Sequence, residues 1–301
     1  MFLLILLVVS SVPFLLVGGG LAFFWKARRR KVLRWTTFCY LALLPPLLLG
    51  VAPFWMARLI SRAGTRPPDL LLKDTPADFS IAYENVEFQA RDGVRLSGWL
   101  ISPGQGKAIV LFSHGLFRTR VEMLSRAAAV AKAGYGALLY DSRNHGASQK
   151  AVVSLGFYET QDVLGAMEYL RQHYAALPQP PRLVLMGVSM GAVATLRAAA
   201  QASDYAALVL DSPFSSIRET IVDHSWLFFM MPRFTFPPIF LFWFQRFAGF
   251  DMDQLRAGGR EDEGRVHRRY RLGQAAKMFR GFGLRADRAL LQTVSVGMAL
   301  A

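Results

Sequence analysis

Ser189 sits between Gly187 and Gly191 in "MGVSMG", residues 186–191, a Gly-x-Ser-x-Gly spacing. A hydroxyl held this way can act as a nucleophile if the chain turns sharply enough to expose it, with glycines letting neighbouring backbone pass close by. The residues before it, "RLVLM", read as a buried strand and those after it, "AVATLRAAAQA", as a helix. The plain structural alternative is a helix N-cap, a position serine favours. A working serine needs a base and a group that orients the base. The candidates are five histidines, His114, His145, His173, His224 and His267. The single cysteine, Cys39, excludes an intrachain disulfide and a cysteine zinc site.

The elements that must position Ser189 follow from the pattern of the middle of the chain. "IAYENVEFQA" alternates apolar and polar residues and meets Asp92-Gly93, a hairpin signal, and "VRLSGWLIS" returns as the second strand. "KAIVLFS" (107–113), "GALLYD", "RLVLMG" and "AALVLD" read as further strands, with helices expected over 118–133, 160–175 and 190–202. An antiparallel entry followed by strand–helix alternation predicts a mixed, mostly parallel α/β sheet flanked by helices. In open α/β sheets ligands bind at the carboxyl ends of strands. Four stretches fall there, "SHGLF" (113–117), "DSRNHGAS" (141–148), "GVSMG" and "DSPF" (211–214).

Together these four stretches resemble the α/β-hydrolase superfamily, and within it the membrane-anchored bacterial serine esterase/peptidase type, over roughly residues 80–254. The resemblance implies an α/β-hydrolase fold, a Ser189 nucleophile forming an acyl-enzyme, and an oxyanion hole from backbone N–H groups. Met190, opening the helix after Ser189, would give one N–H; by resemblance Leu116, following His114-Gly115, gives the other. His114 then shapes the oxyanion loop, and His145 belongs to an Asp-x-Arg-x-His-Gly-like stretch that is usually structural, with Asp141 ordering its own loop. Residues 212–254 fall where this family inserts a cap. Eleven Phe or Trp lie within 226–250, which suits a cap core, an acyl-binding wall or a surface that enters a bilayer.

The family order is nucleophile, acid, histidine, and here the pattern departs. After Leu255 the sequence turns to Arg and Gly, in "RAGGREDEGRVHRRYRLGQAAKMFRG", with no strand ending in His-Gly. Asp287, in "GLRADRALL", is one candidate acid, but no histidine follows it, and His267 precedes it. Three readings fit: a frameshifted or truncated C-terminus; a rebuilt triad with Asp211 as acid and His224 or His267 as base; or a catalytically inactive relative that binds lipid or a protein partner.

The ends of the chain differ from its middle. Residues 1–73 carry ten basic side chains and one acidic, residues 74–254 fifteen and sixteen, and residues 255–301 ten and four. The net charge of +14 is therefore terminal, and nucleic acid is not an expected partner. Residues 1–25 are uncharged, as is Trp35–Met56, and the basic "KARRRKVLR" lies between them. Two transmembrane helices are expected, with the basic loop cytoplasmic and the bulk of the chain extracytoplasmic. Pro45-Pro46 should kink the second. The expected organisation is a membrane hairpin over 1–60, a linker over 61–79, a hydrolase core over 80–254 with its cap at about 212–254, and a basic tail over 255–301. The substrate would be a small-molecule or lipid-like ester, thioester or amide with an apolar acyl group, and no metal or organic cofactor is implied.

Overall fold

The computed structural model describes residues 11–12, 15–20, 23, 28–214, 216–229 and 233–255. The first expected span lies mostly outside these residues, and the tail from 256, with His267 and Asp287, wholly so. The described chain groups into two compact units, Met1–Ser61 with Ile217–Met252, and Arg62–Ser216 with Asp253–Ala301.

The second unit is built on a six-stranded sheet: β1 (Glu84–Gln89), β2 (Arg95–Ile101), β3 (Ile109–Ser113), β4 (Gly136–Tyr140), β5 (Leu183–Val188) and β6 (Ala207–Asp211). Their order is β1-β2-β4-β3-β5-β6. β1, β2 and β4 pair antiparallel, whereas β4, β3, β5 and β6 run parallel. The hairpin turn at Asp92-Gly93 is closed by Ala90 N–H to Val94 O at 2.8 Å and Gly93 N–H to Ala90 O at 2.9 Å. The expected mixed, mostly parallel sheet is thus present.

Strand alternation builds a core on each face of the sheet. Ile109, Leu111, Leu138 and Leu185 pack on one side and Val110, Phe112, Ala137 and Leu139 on the other. Helices α4 (Glu159–His173) and α5 (Met190–Gln201) cover the first face through Val163, Met167, Ala194 and Ala198. A short 3₁₀ turn, Arg120–Met123, and helix α3 (Leu124–Lys132) cover the second through Met123, Leu124 and Ala127. β3 is buried along its whole length, and each fully buried Leu or Phe contributes roughly 1.5–3 kcal/mol.

The first unit contains α1 (Arg29–Pro46) and α2 (Ala52–Ser61), joined by a π-helical stretch, Leu47–Val51, together with α6 (Ile217–Phe229) and α7 (Phe236–Ala248). Pro45 and Pro46 remove two N–H donors, and the π stretch follows at once, where the regular hydrogen-bond ladder has been broken. Among the described residues one helix, Arg30–Ser61, is long and apolar enough to cross a membrane. Only 6% of its most apolar window is buried inside the protein, unlike the core helix of a water-soluble domain. This helix covers the second expected span, Trp35–Met56, and the first lies mostly outside the described residues. On α7, Phe236, Phe240 and Phe244 recur every fourth residue and stack along one buried face. Phe54 of α2 meets Trp243 and Phe247 of α7 edge-on at 4.8 and 5.3 Å, and Arg58 lies over Phe247. Phe234 and Phe242 remain exposed.

Candidate active site

Ser189 occupies the turn between β5 and α5 with φ 51° and ψ −117°, a backbone conformation that non-glycine residues rarely adopt. The turn is tight because α5 must start against the ends of β3 and β5. A Cβ on Gly187 would meet Gly191 O at 2.4 Å, and one on Gly191 would meet Ser113 O at 2.4 Å and His114 O at 2.5 Å. Only hydrogens fit there. The turn is pinned by Ser189 N–H to Asp211 O at 2.9 Å, and Val193 N–H returns to Ser189 O at 3.1 Å. The side chain of Ser189 makes no capping hydrogen bond, so it does not serve the N-cap role that would explain a serine here on structural grounds.

Two backbone segments lie beside this serine. One is the start of α5, where first-turn N–H groups lack helical partners and the helix dipole is positive. Met190 opens it. The other is the loop after β3, with a hypothetical Cβ of Gly115 only 3.6 Å from Ser189 Cβ. Gly115 N–H donates to Glu122 Oε2 at 2.7 Å and Phe117 N–H to His145 Nε2 at 3.2 Å. Between them the Leu116 N–H has no hydrogen-bond partner among the described residues. The side chains of Leu116, Met190, Val153 and Ala63 form a small apolar cluster.

Both histidines near this loop are fully engaged. His114 Nδ1 lies 2.8 Å from Gly115 O, and its Nε2 accepts Ser142 N–H at 2.9 Å. His145 Nδ1 lies 2.8 Å from Arg143 O. Each ring therefore carries its proton on Nδ1. Burial pushes His114 below its ordinary value, and burial together with His114 brings His145 down to about 4. Asp141, buried, accepts the Arg120 N–H at 2.8 Å and the Ala147 N–H at 3.0 Å and pairs with the Arg120 guanidinium. Its loop is also held by Arg143, which bridges Asp92 at 2.8 Å and buried Asp162 at 2.7 Å.

The other expected residues are spread more widely. Asp211 ends β6, and its carboxylate pairs with Arg126 at 3.0 Å and accepts the Ser212 hydroxyl at 2.9 Å. No histidine of the same unit bonds to it among the described residues. His224 lies on α6, in the unit that does not contain Ser189, with Nδ1 2.8 Å from Thr220 O. His267 and Asp287 fall outside the described residues. Three residues not singled out by sequence pattern, Asp69, Arg118 and Glu122, flank the loop after β3. Arg118 Nε lies 3.1 Å from Asp69 and 3.0 Å from Glu122. Burial raises the Glu122 carboxyl, partly offset by the Gly115 N–H it accepts. A carboxylate seven residues after an amide it must reach leaves no sequence signal without the turn that brings them together.

A model of the Hydrolase_4 family, described as serine aminopeptidase, S33, matches residues 104–257. Uncharacterized protein YfhR of Escherichia coli O157:H7 is 29% identical over 140 residues, 44% of this chain and 48% of that protein. The lysophosphatidylserine lipase ABHD12 of Danio rerio is 27% identical over 235 residues, 68% of this chain and 58% of that protein. The chain spans about half the length of the curated relatives it matches. Among solved structures, the esterase Pf2001 of Pyrococcus furiosus superposes with a TM-score of 0.50 at 28% identity, covering 60% of this chain and 72% of that one.

Proposed function

This chain belongs to the Hydrolase_4 family, serine aminopeptidase S33, within the α/β-hydrolase superfamily, and we propose that it is a membrane-anchored serine hydrolase acting through Ser189. The observation that carries this is the backbone of Ser189. A strained conformation persists where surrounding structure over-determines it, and such sites cluster where chemistry is done. Ser189 Oγ attacks the acyl carbon as a base takes its proton, the acyl–oxygen, –sulfur or –nitrogen bond breaks, and the alcohol, thiol or amine departs with that proton, leaving an acyl-enzyme. The N–H groups of Met190 and Leu116 stabilise the oxyanion, a contribution worth about 2.7–4 kcal/mol per donor in well-studied hydrolases. Water then releases the acid. The remaining triad assignments are proposals: His224 or His267 as base, Asp211 or Asp287 as acid.

The substrate we propose is an ester, thioester or amide with an apolar acyl group. Support comes from the apolar cluster around Leu116 and Met190, from the aromatic residues of α6 and α7, and from relatives named as a lipase and an esterase. A two-helix membrane hairpin over 1–60, its basic loop cytoplasmic and the catalytic unit extracytoplasmic, is the topology the charge pattern favours.

A second reading has its own observation. Asp211 is committed to Arg126, and no described histidine of its own unit bonds to it. A serine without a base is a weak nucleophile at neutral pH, so the alternative is a non-catalytic member that binds lipid or a partner. Fluorophosphonate labelling of the full chain beside Ser189→Ala separates the two. Labelling that the substitution abolishes supports the hydrolase, with His224→Ala and His267→Ala to locate the base. A folded chain that takes no label supports the binding reading.

A further inference from the structure

Residues 62–69 follow the apolar helix directly, and their composition reads as linker. Their contacts are of another kind. Arg62 O and Ala63 O both accept the side-chain amide of Asn144, at 3.0 and 2.9 Å. Thr65 Oγ1 accepts the Gly146 N–H at 2.8 Å and donates to Arg118 O at 3.4 Å. The Arg66 N–H donates to Phe117 O at 2.9 Å. Ala63 packs with Met190 and Leu116. Asp69, only 4% exposed, pairs with Arg66 Nε at 2.7 Å and with Arg118 Nε at 3.1 Å. Arg118 in turn reaches Glu122, which holds the Gly115 N–H.

We infer that this segment is part of the active-site framework, with Asp69 a positioning residue that holds the loop carrying the Leu116 N–H through Arg118 and Glu122. The inference rests on the reading of Leu116 as an oxyanion donor. Phe117 takes φ 65°, unusual for an aromatic residue, and such a conformation survives only when neighbours fix it from several sides. His145 fixes its N–H from the core. Its carbonyl is fixed by Arg66, from the segment itself. The Leu116 N–H shares its peptide plane with Gly115 O, which accepts the His114 Nδ1–H at 2.8 Å and the Arg118 N–H at 3.3 Å, and its direction depends also on the peptide planes on either side. One is held by Glu122 at Gly115, and the other leads into Phe117. Without Asp69, Arg118 loses one of its two carboxylates and the loop loses a tether. A donor re-aimed by an ångström weakens the transition state more than the ground state. The expected signature is lowered kcat at nearly constant KM.

The test compares the full chain in detergent micelles as wild type, Ser189→Ala, Asp69→Asn, Asp69→Glu and Thr65→Val. Turnover of p-nitrophenyl butyrate, fluorophosphonate labelling and hydrogen exchange of residues 115–118 are measured. Asp69→Asn should lower kcat roughly ten- to a hundred-fold with KM held. It should also raise exchange in residues 115–118 while leaving β3 and β5 protected. Asp69→Glu should recover part of the rate, and Thr65→Val should show a smaller loss of the same kind. Unchanged kcat and exchange in Asp69→Asn overturn the inference, as does a fall in kcat accompanied by general loss of protection across the sheet. A wild-type chain that neither turns over nor labels refutes the reading of Ser189 itself. Exchange in Asp69→Asn then decides on its own whether the segment holds the loop.

Discussion

Glycine at position 189 should make the protein more stable than alanine at the same position. Both substitutions remove the hydroxyl, which caps nothing, so it drops out of the comparison. What differs is the Cβ. At φ 51° and ψ −117° a Cβ-bearing residue is strained by about 2 kcal/mol, the middle of the range for such conformations. Glycine relieves that strain and gives back about 0.7 kcal/mol through the greater freedom of its unfolded chain. The balance is about 1.3 kcal/mol in favour of glycine, which for a domain of this size raises the melting temperature by about 3–5 °C. The assay is thermal unfolding of Ser189→Gly and Ser189→Ala in the same detergent at the same scan rate. Buried Trp99 offers an intrinsic reporter in the core. If Ser189→Gly melts at or below Ser189→Ala, the turn stores no strain and the reasoning from backbone geometry is refuted.

Two further outcomes follow from the same geometry. Gly191→Ala drives a methyl to within 2.4–2.5 Å of two carbonyl oxygens that belong to backbone, so the loss should reach or exceed about 3 kcal/mol, read as a large drop in melting temperature. Acid should destabilise the fold through His145, which sits at about 4 against an ordinary 6.5, and through His114, also held low. Both are depressed, so their neutral forms support the fold above pH 6.5, and that support is lost as pH falls toward 4. His145 alone accounts for about 3 kcal/mol of it. Buried Asp162, raised to about 7, and Glu122, also raised, work in the opposite sense, so the check is NMR titration of the two imidazoles, and a ring that protonates near 6.5 would contradict their burial.

The sheet was legible in the sequence because each strand alternates or is apolar throughout, and because Asp92-Gly93 marks the antiparallel entry. The turn at Ser189 was legible because two glycines at fixed spacing around Ser189 mean close backbone contact, and the clashes at Gly187 and Gly191 supply the atoms. Other features were not legible. Residues 62–69 have the prolines and charges of a solvated linker, and Asp69 is buried only because Arg66 and Arg118 come to it, a fact of tertiary structure. The periodic Phe236, Phe240 and Phe244 foretell a buried helix face but not what covers it; Phe54, nearly two hundred residues away, is part of the answer. Asp211 looks like an acid because it ends a strand, yet Arg126, on the helix after β3, takes its carboxylate. The acid and base expected from the family's chain order fall where the sequence loses strand pattern altogether.

The two imidazoles packed against the loop after β3, His114 and His145, leave no nitrogen lone pair for an outside reagent. Each ring is blocked on one side by a carbonyl and on the other by a backbone amide. To diethyl pyrocarbonate, to a metal-affinity resin or to a proton in flight, the described residues therefore present two exposed histidines, His173 and His224, rather than four. A histidine reagent that abolishes fluorophosphonate labelling without unfolding the protein would have reached a histidine other than His114 and His145. Mapping the modified site by mass spectrometry would then point to a base without a single substitution being made.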